Sequence, residues 1–349
     1  MLGKEKLINK KLLFWYDLHK RDLPWRKIDK NGLPYPYYVF VSEYMLQQTT
    51  VNTVKNKFNE FIEKWPNIEK LSLESEGNIL KFWSGLGYYS RARNLLKAAK
   101  IIKNIHQSKV PNNYDELIKL PGIGDYTAKA ILGIAFNKPT MPTDANIERI
   151  IVRLFAIKIP IVKVKNKLKT MANKFISKKS SSNLIQSFMD YGSSICIPRK
   201  PKCDLCKIAN FCESYKKNLH TILPLKIKKI SKKPVKYSRA YVLINEKDEI
   251  LVRNRPPKGM LASMLEVPND KWVENKNLLS HDKIFKKIKK NLKHKGSIEY
   301  TFSHFHLETD IYFGNIKKSK LSEATWIKKS NYNNSGLPTV MKKIVEVAI

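Results

Sequence analysis

Leu120-Pro121-Gly122-Ile123-Gly124-Asp125-Tyr126-Thr127-Ala128 is the stretch that decides how this 349-residue chain folds. Two glycines, one residue apart, precede an apolar helical repeat over Thr127–Phe136 and follow Tyr114–Lys119, which also reads as helical. The unit is therefore helix–hairpin–helix. Glycine lets a backbone approach a ligand closely, and the free N–H groups at a helix start bind anions such as phosphate. A bare Gly-x-Gly would more readily be a plain interhelical turn, but the whole string is far more specific. It makes Gly122 and Gly124 candidate phosphate contacts.

Outward from the hairpin, Leu7 to Lys217 is mostly helical in pattern. Apolar residues recur at three- and four-residue steps over Glu43–Trp65, Arg91–Ile105, Thr127–Phe136 and Asn146–Leu154. Pro24, Pro66, Gly85, Gly87, Pro111, Pro121 and Pro139 punctuate these helices. From Lys216 to Arg239 there are nine Lys/Arg residues and no acid, a linker composition suited to lying along a polyanion. Beyond it, Ala240–Ile244, Ile250–Arg253, Ser297–Phe302 and Thr309–Phe313 are short, β-branched and aromatic, and predict strands. A closing helix is expected near Thr339–Val347. The expected plan is a mainly α region over 1–215, a basic linker over 216–237 and a smaller α+β domain over 238–349.

The formal charge of +36 would attract nucleic acid or another anionic surface. Lysines outnumber arginines 56 to 10, which an AT-rich genome would also produce, so charge alone does not identify the partner. No run of eighteen apolar residues exists, and the opening MLGKEKLINKKLLFWY lacks a signal-peptide core. The protein is expected in the cytoplasm, associated with the nucleoid, with no membrane partner and as a monomer.

All four cysteines, Cys196, Cys203, Cys206 and Cys212, fall in one window spaced C-x6-C-x2-C-x5-C. A disulfide framework would spread its bridges through a small secreted chain, so four thiols in one loop imply a single metal centre. A zinc ribbon pairs two CxxC knuckles across a longer gap, whereas one compact loop with one CxxC suits a four-iron cube.

Two carboxylates complete the candidate chemistry. Glu43 lies in Ser42-Glu43-Tyr44-Met45-Leu46-Gln47-Gln48-Thr49, and Asp144 in Pro142-Thr143-Asp144-Ala145-Asn146. Taken alone, Glu43 reads as a helix-start acid and Asp144 as an N-cap. Together, SEYMLQQT, GLGYYSRAR, LPGIGDYTA, PTDANIERI and the cysteine loop resemble the MutY-type adenine DNA glycosylases of the helix–hairpin–helix, iron–sulfur superfamily. The resemblance runs from Leu12 to Cys212 and resumes around Phe302-Ser303-His304-Phe305-His306.

The resemblance implies removal of adenine mispaired with 8-oxoguanine or guanine in double-stranded DNA, and one [4Fe-4S] cluster on the four cysteines. It implies Glu43 as the acid that protonates adenine and Asp144 as the anion that stabilises the oxocarbenium ion, with Tyr126 and Asn146 in support. That is the two-carboxylate logic of glycoside hydrolysis. Adenine must first be flipped out of the duplex. The resemblance casts Gln48, Tyr88 and Leu46 as helix wedges and Trp25, Arg26 and Gln186 as the base pocket. Aromatics such as Tyr88 and Trp25 are more often core packing. The C-terminal domain resembles a Nudix fold near Arg255-Pro256-Pro257-Lys258-Gly259-Met260-Leu261, but lacks the clustered acids of a Nudix hydrolase. Ser303 and His304 are then the candidates for reading 8-oxoguanine.

Two other readings carry weight. An endonuclease-III-like glycosylase/lyase would place a lysine where Tyr126 stands, and Lys129 lies one helical turn away. A non-catalytic DNA-damage binder would have no need of both Glu43 and Asp144.

Overall fold

The computed structural model describes residues 3–227, 233–256, 259–282, 292–317 and 324–349. Pro257, Lys258, residues 228–232 of the expected linker and most of 283–295 lie outside them. The chain divides into two compact units. One comprises Met1–Glu74 and Asn94–Lys229, the other Ser75–Arg93 and Ile230–Ile349. The expected division ran unbroken from 1 to 215, but Ser75–Arg93 packs with the C-terminal chain instead.

The first unit is helical. Its principal elements are α1 (Lys4–His19), α2 (Pro36–Leu46), α3 (Val51–Lys64), α4 (Tyr114–Leu117), α5 (Asp125–Phe136), α6 (Ala145–Leu154), α7 (Lys165–Asn173) and α8 (Ser181–Ser194). The single helix expected over Glu43–Trp65 is in fact two. Proline at its first position starts α2 early, and Gln48 takes a left-handed φ of 59° that ends the run. Thr50 then caps α3, its hydroxyl accepting from the N–H of Thr53. A period read across Gln47–Thr50 cannot detect such a break, because apolar residues on both sides face the same core.

α8 is the backing of the unit, packing against α1, α5 and α6, while α2 packs against α5. Leu12, Phe40, Phe58, Ile131, Ile147, Leu184 and Phe188 fill the core between them. The approach of α8 to α6 depends on Gly192. A Cβ there would lie 2.5 Å from that of Asn146, so no larger residue fits without moving the start of α6.

The second unit contains a mixed sheet in the order β3-β2-β1-β5-β4, with β6 also paired to β2. Its strands are β1 (Val235–Ile244), β2 (Glu249–Asn254), β3 (Leu265–Glu266), β4 (Lys293–Thr301), β5 (His306–Asn315) and β6 (Ala324–Lys328). β1 and β5 run parallel, Val235 opposite His306 and Ile244 opposite Asn315, while the other pairs are antiparallel. Four of these were legible as strands; β3 and β6 were not. On one face, Ala240, Val242, Leu307 and Ile311 pack beneath Val340, Met341 and Ile344 of the closing helix, α9 (Thr339–Ala348). Within Ser75–Arg93, Ser75 caps a short helix, Glu76–Phe82, and the Arg93 guanidinium donates to the Ala262 carbonyl at 2.6 Å. Among the described residues, no helix is long and apolar enough to cross a membrane.

Candidate functional site

The hairpin of the first unit is built as its sequence demands. Gly122 has a φ of +80°, and a Cβ there would meet Asn94 and Tyr44 at about 2.8–3.0 Å, so glycine is required twice over. The Tyr44 hydroxyl donates to the Pro121 carbonyl at 2.5 Å, which ties α2 to the turn. Gly124 is different. It precedes α5, is exposed, and a Cβ there would meet nothing within 4 Å.

Three elements converge on the two carboxylates. Glu43 sits on α2 and is buried, 6% exposed. Tyr126, in the first turn of α5, donates its hydroxyl to Glu43. Asp144 caps α6: one oxygen accepts from the Ile147 N–H at 2.7 Å, the other from Asn146 Nδ2 at 2.8 Å. Burial and then the charge of Asp144 push Glu43 up to about 8, against the lowering effect of the Tyr126 bond. Burial also holds Asp144 above its ordinary value, against the lowering effects of the Ile147 N–H, the Asn146 amide and the Arg149 guanidinium. Tyr126 is held far above its ordinary value by burial and by both carboxylates, so its phenol stays protonated. Of the two acids, Glu43 has the fewer partners for its anion, and its shift to about 8 keeps it protonated near neutrality.

Arg149 and Arg153, which the sequence reading passed over, join this site to the cysteine loop. Arg149 Nη2 donates to Asn146 Oδ1 at 2.8 Å, and its Nε to the Cys196 carbonyl at 2.7 Å. One turn along α6, Arg153 Nη1 donates to the Ile197 carbonyl at 2.7 Å and to Cys196 Sγ at 3.4 Å. The Tyr191 hydroxyl lies 3.3 Å from Cys206 Sγ, and Cys212 Sγ lies 3.3 Å from the Arg153 carbonyl. All four cysteines line one apolar cavity. Among the described residues no group of three or more His, Cys, Asp or Glu side chains is arranged for a single metal ion.

The remaining expected pocket residues of the first unit separate. Trp25 is buried with its ring edge-on to Phe58, 5.4 Å between centroids. Arg26 grips buried Asp190 with two hydrogen bonds of 2.7 and 2.8 Å, and Arg21 binds the same carboxylate. Burial raises Asp190, but Arg26 and Arg21 bring it below the ordinary carboxylate value. Arg26 and Gln186 line one cavity with Tyr16 and Tyr35. Gln186 spends its amide N–H groups on Ser182, on the carbonyl at 3.2 Å and the hydroxyl at 3.3 Å. Its Oε1 is buried without a hydrogen bond. Leu46 is half-buried at the end of α2, and Gln48 is exposed.

In the second unit, Tyr88 is 41% exposed and adopts a φ of 47°. Its hydroxyl lies 2.6 Å from the Oγ of Ser303, so these two expected contacts are brought together. Both line a cavity with His304, Tyr300, Leu261 and Arg93. Ser303 and His304 are exposed at the β4–β5 turn, whereas Phe302 and Phe305 pack inward on Trp272. Gln48 and Tyr88 are both non-glycine residues held in the left-handed region, a costly conformation that concentrates at functional positions.

Comparison with known proteins agrees with both halves of this architecture. The profile of HhH-GPD superfamily base excision DNA repair proteins matches residues 41–175, and that of the NUDIX domain matches residues 239–347. The adenine DNA glycosylase of Buchnera aphidicola subsp. Schizaphis graminum is 34% identical over 352 residues, covering 96% of this chain and 97% of that one. The chain belongs to the adenine DNA glycosylase family. The human adenine DNA glycosylase is 28% identical, covering 96% of this chain and 73% of that protein. Among solved structures, a thermostable thymine-DNA glycosylase superposes with a TM-score of 0.55 at 29% identity, covering 61% of this chain and 97% of that one. A trapped endonuclease III–DNA covalent intermediate, at 21% identity and a TM-score of 0.51, shares the fold of the helical unit.

Proposed function

We propose that this protein excises adenine from double-stranded DNA where it is mispaired with 8-oxoguanine or guanine. Glu43 acts as the general acid and Asp144 as the anion beneath the sugar. The carrying observation is the asymmetry of the carboxylates. Glu43 is buried, raised to about 8 and bonded by Tyr126, while Asp144 is surrounded by donors that favour its anion. Loss of adenine builds negative charge on the purine and positive charge on deoxyribose, so one proton and one carboxylate are needed at once. Tyr126 orients Glu43, and Asn146 orients Asp144.

The flipped adenine is placed in the cavity lined by Arg26 and Gln186. The bare Gln186 Oε1 accepts from the exocyclic amine of adenine, a bond that a carbonyl at the same ring position could not make. Gln48, Leu46 and Tyr88 wedge the duplex, and Ser303 with His304 reads the opposite base. The open face at Gly124 receives a phosphate. The four cysteines fit a [4Fe-4S] cluster: they ring one apolar cavity, and Arg153 and Tyr191 already reach two of their sulfurs. Bound there, the cluster would brace the loop that Arg149 ties to Asn146.

The product is an abasic site rather than a broken strand. A lyase needs an amine aimed at C1′. Tyr126 cannot form an imine, and Lys129 is paired with Asp125 at 2.9 Å, one turn along α5. The test is incubation with duplexes carrying A:8-oxoguanine, A:G, A:T and thymine glycol:A, with and without borohydride. Alkali-dependent cleavage of the first two is expected. Release of thymine glycol, or a borohydride-trapped complex lost on Lys129→Ala, would overturn the reading in favour of a glycosylase/lyase.

A further inference from the structure

The wall of the cysteine cavity holds a polar group that, among the described residues, nothing satisfies. His220 lines that cavity together with all four cysteines. Its Nδ1 is buried and makes no hydrogen bond. The ring is positioned rather than loose. Tyr215 packs edge-on at 5.2 Å between centroids. The backbone on either side is fastened by Leu219 N–H to the Ser214 carbonyl at 2.7 Å and Leu223 N–H to the Leu219 carbonyl at 2.9 Å. Arg153 Nε secures the far end by donating to the Leu223 carbonyl at 2.9 Å.

A buried polar nitrogen without a partner is costly, so native proteins seldom leave one. Two other polar side chains on this wall, Arg153 and Tyr191, already reach cysteine sulfurs. We propose that His220 Nδ1–H is a hydrogen-bond donor to the sulfur of the iron–sulfur cluster and a residue that sets its reduction potential. The sulfurs of such a cluster are acceptors only, so a ring nitrogen bonded to them must carry the hydrogen. An N–H···S bond strengthens as the cluster gains an electron and negative charge accumulates on sulfur. It therefore favours the reduced state, and hydrogen bonds to sulfur are among the levers that tune these potentials. His220 is a positioning residue for the cluster and touches no reacting atom of the DNA.

The inference rests on the proposed cluster, and iron analysis separates the two. Full-length protein prepared without oxygen and lacking iron would remove the cluster itself. With iron present, voltammetry compares the parent with His220→Phe, which keeps a flat ring without the N–H, and His220→Asn, which returns an N–H near Nδ1. His220→Phe should shift the one-electron equilibrium about tenfold towards the oxidised state, about 59 mV more negative. His220→Asn should restore the parent potential, and 15N-histidine in the parent should couple to the paramagnetic cluster. Should His220→Phe fail to load iron while His220→Asn loads at the parent potential, the N–H is again what matters. A loaded His220→Phe with unchanged potential, or an Asn variant that behaves like Phe, would overturn the assignment.

Discussion

The region around Glu43 and the region around Glu266 both bury a carboxylate, and they deal with its charge in opposite ways. In the C-terminal unit Glu266 receives Arg253 at 2.9 Å, Arg255, and the amide of Asn269 at 2.7 Å. Asp190 in the helical unit is likewise saturated, by Arg21 and Arg26. Glu43 is given a phenol and a second carboxylate instead. A buried acid matched by guanidinium groups is spent on holding the fold, and removing one partner would strand the other. A buried acid left unmatched keeps a proton that can be delivered. The contrast supports the proposed placing of the chemistry at Glu43 and Asp144, and it gives Glu266 to architecture.

Predictions that could break this contrast begin with Asp144→Asn, which should slow adenine release by ~10³-fold or more while lesion-duplex binding persists, since the carboxylate is assigned to transition-state charge. Single-turnover kinetics beside a binding isotherm would check both parts. Glu43→Gln should cost ~10²-fold or more, because an amide cannot donate the proton. In the parent enzyme the rate should fall as pH rises through about 8, where Glu43 loses its proton. The same shift has a stability signature. The folded protein binds this proton more tightly than the unfolded chain does, so stability contributed by Glu43 falls as pH climbs from about 4.5 to about 8. Glu43→Gln should therefore unfold at a higher temperature than the parent at pH 9.

Smaller effects sharpen the same boundary. Arg149→Lys loses the fork that bonds both Asn146 and the Cys196 carbonyl, and should lower turnover about tenfold with iron content retained. Parent rates in an iron-replete variant would show that α6 does not need that tie. Ser303→Ala with His304→Ala should reduce the preference for 8-oxoguanine over guanine opposite adenine about fivefold, the worth of about one hydrogen bond. An unchanged preference would assign the β4–β5 turn another task.

Much of this was legible in the sequence because it is local. The hairpin string, the Asp144 cap and the cysteine spacing each carry their structure within a few residues. What escaped was contact between distant segments. No period reveals that Ser75–Arg93 packs with the C-terminal chain, or that Tyr88 meets Ser303. The partners of the buried acids were equally hidden, though a signal for them existed. In a chain with 56 lysines, ten arginines remain. Arg21, Arg26, Arg149, Arg153, Arg253 and Arg255 each occupy a forked or multiply bonded site that an ammonium group could not fill. Where lysine is the default cation, the arginines mark the buried networks. Arg26, expected in the base pocket, illustrates this by serving Asp190 and lining the cavity together.

The proposed chemistry requires Glu43 to hold a proton at neutral pH and Asp144 to be ionised. Difference infrared spectroscopy of the parent against Glu43→Gln reads this directly through the protonated-carboxyl stretch. The predicted result is a band at pH 7 that titrates away near pH 8, is missing in Glu43→Gln and survives in Asp144→Asn. No protonated carboxyl at pH 7, or a band that disappears with Asp144→Asn instead, would contradict it.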